Sequence, residues 1–540
     1  MKNFEPIAIV GIGCRFPGDA NDTASYWELL INGVDAISEV PEDRWNLRSH
    51  FNDDKTKPGK TYTRCGGFIK DIDQFDAGFF GISPREAACM DPQQRILLET
   101  TWEAFADAGI DVDQLAGTNV GTFMGIFTHD YNNMQLDTSN RDLIDTHTGV
   151  GVSMSIVANR LSYAFDFTGP SLTLDTACSS SLVALHLACQ SIQNGESHVA
   201  IAGGANALLK PEFTIATSKA SMLSPDGRCK SFDASANGYV RSEGAGVVVL
   251  KPLSAAQRDG DSIYAVIKST VVNQDGKSNG ITVPNQKSQK AALRKALEIA
   301  KVSAKEISYA EAHGTGTFVG DPIEANSIGS VLGANRNTDL IMGSVKSNIG
   351  HLEAASGMAS LIKVALSLKN EQIPPNLHFH SPNPQIEFEK YHLRVPTSPE
   401  NWASPPLKNR HACLNSFGFG GTNATVILSE SPQPQTPESE TPQGQSSTYI
   451  LPLSAESKQA LHSTVSRYHE QLETGKESLS DLCFSAATRS SHRGERLALI
   501  ASNKEDFRSL TSKYLEGKES PLIVKGNHKF KGGKLAFVFA

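Results

Sequence analysis

Short apolar runs recur through the first 430 residues, each bounded by glycine or polar residues. They are AIVGIG (8–13), VGTFMG (120–125), SLTLDTA (171–177), HVAIAGG (198–204), GVVVL (246–250), YAVIKSTVV (264–272), ISYAEAHG (307–314) and LIMGSV (340–345). Runs this short, with turn residues at their ends, predict buried strands. Between several of them the apolar period lengthens to that of a helix, at 92–107, 181–193, 287–300 and 352–368. In the second of these helices Leu182, Val183, Leu185, Leu187 and Ile192 supply the apolar face, and Gly195 ends it. Strands alternating with helices predict an α/β layered fold. One plan occurs twice. DTACSSSLVALHLACQSI (175–192) runs from a strand end through a nucleophile-type residue into an apolar helix. SVKSNIGHLEAASGMASLIKVALSL (344–368) repeats it, with His351 standing where Cys178 stood. A duplicated half-fold and a chance recurrence of strand–turn–helix both fit this echo.

The pattern breaks at 429–448, SESPQPQTPESETPQGQSST, where four prolines among Ser, Thr, Gln and Glu cannot bury a core. The chain therefore reads as a large domain (1–430), a Pro-rich tether (431–448) and a smaller α/β unit (449–540). The small unit has helical spacing around 457–471 and strand-like RLALIAS (496–502) and KLAFVFA (534–540). Its end in an apolar run suggests a boundary inside a longer polypeptide. A net charge of −8 argues against a nucleic-acid partner, which would call for a basic surface. The N-terminus lacks the apolar core of a signal peptide, and no run approaches 18 apolar residues, so no membrane span is expected. Eight scattered cysteines without a CxxC pair indicate neither zinc nor a redox dithiol, and fit reduced thiols in the cytoplasm.

Cys178, in DTACSSS, lies between a strand and a helix. A thiol there meets unpaired N–H groups and the positive end of the helix dipole, which favour thiolate. The unperturbed pKa is about 8.5, and lowering it by about two units would ionise most of it at neutral pH. The plainer alternative is a small packed cysteine. His313, in EAHGTGTFVGDPIEA, opens a loop whose glycines let backbone approach a ligand and whose Thr315 and Thr317 offer hydroxyls to a polar arm. His351 follows Gly350 at a helix start, with Lys346 five residues earlier. Asp321 and Glu324 follow His313 by eight and eleven residues and are the natural charge partners for Lys346, unless they form an ordinary surface pair. Phe419, in NSFGFGGTN, has glycines on both sides, which suits a backbone oxyanion-hole donor or a plain turn. Two motifs mislead. GIGCRFPG (11–18) begins like a dinucleotide loop but has Phe16 where Gly is needed, and GKSNG (276–280) matches a nucleophile elbow but meets Pro284 instead of a helix.

DTACSSS, EAHGTGT with GDPIEA, and KSNIGH are similar to the three active-site blocks of the β-ketoacyl synthases. EPIAIVGIGCRFPG, PEDRW, FFGISPREAACMDPQQRILLETTWEA and NSFGFGGTN resemble the multidomain polyketide-synthase branch, over about residues 5–430. The animal fatty-acid synthase shares the three blocks. Residues 449–530 resemble the linker between a ketosynthase and an acyltransferase. The resemblance implies a thiolase-type fold of two similar halves in five layers, usually a homodimer. It also implies a two-stage reaction: an acyl group passes from the phosphopantetheine arm of an acyl carrier protein to Cys178, then a malonyl-type extender on a carrier protein loses CO₂ and attacks it. His313 and His351 would stabilise the enolate, and the N–H groups of Cys178 and Phe419 would hold the tetrahedral oxyanion, where one donor is typically worth ~3–4 kcal/mol. Lys346, with Asp321 and Glu324, would order the site, and Thr315 and Thr317 would contact pantetheine. No metal or bound cofactor is implied, and an adjacent acyltransferase domain is the expected neighbour. Position 178 is Cys where loading decarboxylases carry Gln, and His351 is present where non-elongating members often lose it. The alternatives are an acyl-loading or gatekeeping ketosynthase that does not extend, and an inactive carrier-docking scaffold.

Overall fold

The computed structural model describes residues 5–334, 336–403, 409–432, 448–475 and 477–527. The chain divides into a large unit, Met1–Ala108 with Leu115–Pro432, and a small one, Gly109–Gln114 with Gln433–Ala540. The short loop Gly109–Gln114 groups with the small unit.

All eight predicted strands form: β1 (Ile7–Arg15), β2 (Val120–Gly125), β3 (Ser171–Leu174), β4 (Val199–Asn206), β5 (Gly244–Pro252), β6 (Ala265–Gln274), β7 (Ile307–Glu311) and β8 (Leu340–Gly343). Three strands that the pattern did not reveal join them: β9 (Leu393–Arg394), β10 (His411–Phe417) and β11 (Thr422–Ser429). Together they form a sheet in the order β9-β8-β7-β10-β11-β6-β1-β5-β4-β2-β3. Its first half runs β1-β5-β4-β2-β3 and its second β6-β11-β10-β7-β8. In each half the first three strands of that order alternate antiparallel, and the outer ones are parallel. The same order and orientation twice over make a duplicated half-fold of the repeated plan, joined where β1 pairs with β6.

Six helices complete the layers: α1 (Pro92–Asp107), α2 (Met154–Phe165), α3 (Ser180–Gln193), α4 (Gln286–Ala300), α5 (Gly320–Ile328) and α6 (Ser356–Asn370). The equivalent helices α3 and α6 lie between the half-sheets: α3 packs on β2, β4 and β6, and α6 on β10, β11 and β5. Every residue of α6 from Ser356 to Leu368 is buried, as a helix enclosed by two sheets requires. Outside, α1 covers β1 and β5, while α4 covers β6 and β11. The result is five layers. Gly11 and Gly13 of the misleading GIGCRFPG run serve this packing. A Cβ there would lie 2.1 Å from the Ala104 carbonyl oxygen and 2.0 Å from that of Thr100, so only glycine lets α1 settle on β1.

The small unit has three antiparallel strands, β12 (Tyr449–Ala455), β13 (Glu495–Ala501) and β14 (Ile523–Asn527), with helices α7 (Lys458–Thr474), α8 (Leu479–Thr488) and α9 (Lys504–Leu515). Leu453, Leu461, Val465, Leu499 and Phe507 centre its core, and Cys483 is packed into it. Most of the tether and the predicted strand KLAFVFA lie outside the described residues.

Candidate active site

After β3 the chain makes a 3₁₀ turn at Ala177–Ser179 and enters α3 at Ser180. Ala177 sits at φ 56°, a left-handed conformation that costs a non-glycine residue ~1 kcal/mol or more. Its N–H donates to Asp175 Oδ1 (2.7 Å), and the Thr176 N–H donates to Ser180 Oγ (2.9 Å), which holds the turn. The Cys178 carbonyl accepts from Ser416 Oγ (2.7 Å) and Ser356 Oγ (3.2 Å), so both halves of the fold fix the nucleophile. The backbone N–H groups of Phe419 and of Cys178 itself favour a negative charge on the sulfur. Even so, burial, reinforced by the Glu353 carboxylate, pushes the thiol up to about 12 against the pull of Lys346 and these donors. The thiolate expected from the helix start is therefore not the resting state. The desolvation of an anion here outweighs a helix terminus.

β7 delivers His313, whose Nδ1 accepts the Phe417 N–H (3.4 Å). His351 follows Gly350 (φ 75°); its N–H donates to the Val240 carbonyl (2.8 Å) and its carbonyl accepts the Ser242 N–H (2.9 Å). Its Nδ1 accepts the Glu353 N–H (3.0 Å). The two rings lie 5.2 Å apart between centroids. Burial first, then Lys346, holds both imidazoles well below the usual histidine range. A neutral ring whose Nδ1 accepts carries its proton on Nε2. The site therefore contains two neutral Nε2–H donors.

The repeat has a different register from the one the sequence suggested. The second half also has a 3₁₀ turn, Glu353–Ala355, before its helix starts at Ser356, and its left-handed residue is Glu353 at φ 49°. Glu353 thus matches Ala177, Ala354 matches Cys178, and His351 matches Asp175. In both turns the side chain two residues before the left-handed residue accepts that residue's N–H.

Lys346 is 1% exposed, and burial lowers its pKa. Among the described residues it forms no ion pair with Asp321 or Glu324, contrary to the expected charge pairing. Those carboxylates are occupied by backbone. Asp321 accepts the N–H groups of Phe232 (2.7 Å) and Gly316 (3.0 Å), and Glu324 those of His313 (2.8 Å) and Gly314 (2.8 Å). Burial pushes Asp321 up to about 6 and Glu324 up to about 7. They fasten the loop on which Thr315 and Thr317 bring their hydroxyl oxygens within 3.1 Å of each other. Glu324 and Glu311 act on Lys346 only through the field.

Sequence reasoning missed two buried ion pairs beside the site, Arg241–Glu353 (2.6 Å) and Lys363–Glu311 (2.7 Å). A lone Glu in GHLEAA was the only local signal for the first; nothing around Arg241 marks it. A cavity of about 720 Å³, lined by Phe127, Thr128, Asp130, Asp175, Lys210 and Phe213 among others, adjoins the nucleophile turn through Asp175. The Phe127 ring stands edge-on to Phe213 (5.0 Å) and Phe419 (5.9 Å).

Comparison with known proteins agrees with this geometry. Three family models match in succession: "Beta-ketoacyl synthase, N-terminal domain" over residues 4–256, "Beta-ketoacyl synthase, C-terminal domain" over 264–380 and "Ketoacyl-synthetase C-terminal extension" over 382–496. The chain is 49% identical over 426 residues to a phenolphthiocerol/phthiocerol polyketide synthase of Mycobacterium tuberculosis, covering 79% of this chain and 27% of that protein. It is 48% identical over 433 residues to another phenolphthiocerol/phthiocerol polyketide synthase, from Mycobacterium bovis, covering 79% and 23%. It spans about a quarter of these relatives' length. Among solved structures it is similar to a Streptomyces albus oxazolomycin ketosynthase domain (TM-score 0.90, 38% identity, 97% of this chain and 90% of that one). It is also similar to the ketosynthase from module 6 of the Bacillus subtilis bacillaene synthase (TM-score 0.86, 36% identity, 97% and 88%). The chain belongs to the β-ketoacyl synthase family, as a ketosynthase of the modular polyketide-synthase kind.

Proposed function

We propose that Cys178 takes an acyl group from a carrier-protein thioester and that this site then condenses it with a malonyl-type extender, with loss of CO₂. In the first stage the sulfur attacks the incoming carbonyl. The Cys178 N–H and Phe419 N–H hold the oxyanion, and the proton of the resting thiol leaves with the departing pantetheine sulfur. In the second, the extender carboxylate departs as CO₂ and leaves an enolate, whose oxygen accepts from the Nε2–H groups of His313 and His351. The carbanion attacks the Cys178 thioester, the β-ketoacyl product remains on the carrier, and the sulfur regains a proton from solvent. The observation that carries this reading is the pair of neutral imidazoles, each with Nδ1 occupied by a backbone N–H. Such donors stabilise developing charge without giving up a proton. Lys346 supplies a buried positive field to both stages.

Thr315 and Thr317 take the pantetheine arm in this reading, and the cavity beside Asp175 takes the acyl chain. Carrier proteins deliver both substrates, and an acyltransferase domain is the neighbour. A homodimer forms through the sheet edge at β3, where Leu172 and the nearby Tyr163 are exposed. Cytoplasmic residence fits eight free cysteines. Among the described residues no helix is long and apolar enough to cross a membrane. Intact-protein mass spectrometry tests the core of the reading. An acyl-pantetheine thioester should add one acyl mass at Cys178, and malonyl carrier protein should then remove it as β-ketoacyl product. Labelling that persists in Cys178→Ala removes the claim.

A further inference from the structure

The geometry points to the buried Arg241–Glu353 pair as the device that aims His351, closing a ring of contacts that fixes which imidazole nitrogen faces the substrate. Starting from His351, the main chain is bonded on both sides to the segment carrying Arg241, through the Val240 carbonyl (2.8 Å) and the Ser242 N–H (2.9 Å). The Arg241 guanidinium then grips Glu353 with two bonds, Nε to Oε1 (2.6 Å) and an NH2 nitrogen to Oε2 (2.8 Å). The Glu353 N–H closes the ring on His351 Nδ1 (3.0 Å). Each carboxylate and guanidinium is only 2% exposed. Further contacts surround the pair. Asn206 Nδ2 donates to Glu353 Oε2 (3.1 Å), Arg241 donates to Thr214 Oγ1 (2.8 Å), and the guanidinium lies over the Phe213 ring (4.9 Å).

The duplicated half shows that the turn alone does not need this pair. Ala177 occupies the matching left-handed position with no side chain to grip, and a carboxylate, Asp175, accepts its N–H at 2.7 Å. A carboxylate is a strong acceptor, and with the Ser180 Oγ bond to the Thr176 N–H it holds the turn. In the second half the acceptor is a neutral imidazole, which is weaker. The ion pair supplies what the imidazole lacks. It also keeps the wall beside the site neutral, so His351 faces no unpaired guanidinium.

The proposal rests on the enolate role given to His351 above, and the experiment separates the two. Glu353→Gln alone leaves a buried guanidinium unpaired and risks misfolding, so the informative protein is the full chain carrying Arg241→Met with Glu353→Leu. Replacing both partners of a buried pair by apolar residues is often tolerated. Histidine labelled with ¹⁵N reports the His351 tautomer, assigned by the signal lost in His351→Ala. Wild type should show Nδ1 unprotonated and Nε2 protonated. The double variant should show a mixture, with extender decarboxylation slowed by about tenfold or more and Cys178 self-acylation within about threefold. An unchanged tautomer overturns the proposal. So does an equal loss of both half-reactions in folded protein, which would mark general packing. A shifted tautomer with intact decarboxylation leaves the aiming role standing and overturns the enolate role of His351.

Discussion

The protonation states of three side chains shape the chemistry at the residue scale. With its pKa pushed up to about 12 by burial, Cys178 is a thiol throughout the neutral range. Far below a pKa the anion fraction rises tenfold with each pH unit, so alkylation of Cys178 by a small neutral iodoacetamide should accelerate about tenfold per unit from pH 7 to 9. A plateau by pH 8 would show a thiolate formed far lower and would restore the helix-start picture. The two imidazoles behave in the opposite sense. Burial favours their neutral form, which suits the proposed role of hydrogen-bond donors to charge that develops when CO₂ leaves. His313→Ala and His351→Ala should each slow decarboxylation of the extender by about 10²-fold while self-acylation falls much less. Radiolabelled malonyl carrier protein and acyl-adduct mass measure the two steps separately. Equal collapse in folded variants would mean that the histidines chiefly activate the thiol.

Among the elements, the decisive contacts are backbone against backbone. β1 carries glycine where α1 lies on it, and a methyl at Gly13 would press 2.0 Å from the Thr100 carbonyl oxygen. Gly13→Ala should therefore lower stability by roughly 1–3 kcal/mol, read as a reduced denaturation midpoint. An unchanged midpoint would show that α1 can move off the strand at no cost. In the hairpin β10–β11, Asn415, Ser416, Asn423 and Thr425 are all buried, and Thr425 Oγ1 donates to Asn415 Oδ1 (2.9 Å). These polar residues position Ser416 under the Cys178 carbonyl, and they also disguised the strands that carry them. Cys483 shows the converse. It is buried in the core of the small unit on α8, so Cys483→Ala should leave acylation of Cys178 and the condensation rate unchanged. A slower rate in a folded variant would give the small unit a part in the chemistry.

For the whole molecule, duplication places two equivalent turns at the starts of the central helices α3 and α6, one from each half. In the proposed mechanism the first supplies a nucleophile and the second a hydrogen-bond donor, and each is tied to the other through Ser356 Oγ on the Cys178 carbonyl. The large sheet ends at β3, a four-residue strand whose Leu172 is 48% exposed beside Tyr163 at 87%. An uncovered edge strand with apolar neighbours invites pairing with a second copy. Truncation at residue 430 should leave a dimer by light scattering, and Leu172→Glu should shift it toward monomer. A monomeric truncated chain that still condenses its substrates would refute the dimer.

Much of this was legible in one dimension. Alternating apolar runs located eight strands and the helices that became α1, α3, α4 and α6, because buried strands and enclosed helices must be apolar wherever they occur. Cys178, His313, His351 and Lys346 stood out because each follows a strand end in a glycine- or serine-rich turn, and Phe419 because glycines flank it. Other features depended on which surfaces meet. The hairpin β10–β11 stayed hidden because buried Asn415, Ser416, Asn423 and Thr425 interrupt its apolar residues. The carboxylates Asp321 and Glu324 seemed natural partners for Lys346 by charge, yet backbone N–H groups of a neighbouring loop reached them first. The register of the repeat, with His351 opposite Asp175, rests on two left-handed residues that no local pattern announces. The pairing of Arg241 with Glu353 joins positions 112 residues apart. Local patterns of polarity and turn residues set the elements and the reactive side chains. Burial, and the contacts made by distant segments, decided the charge each side chain carries and the direction in which it points.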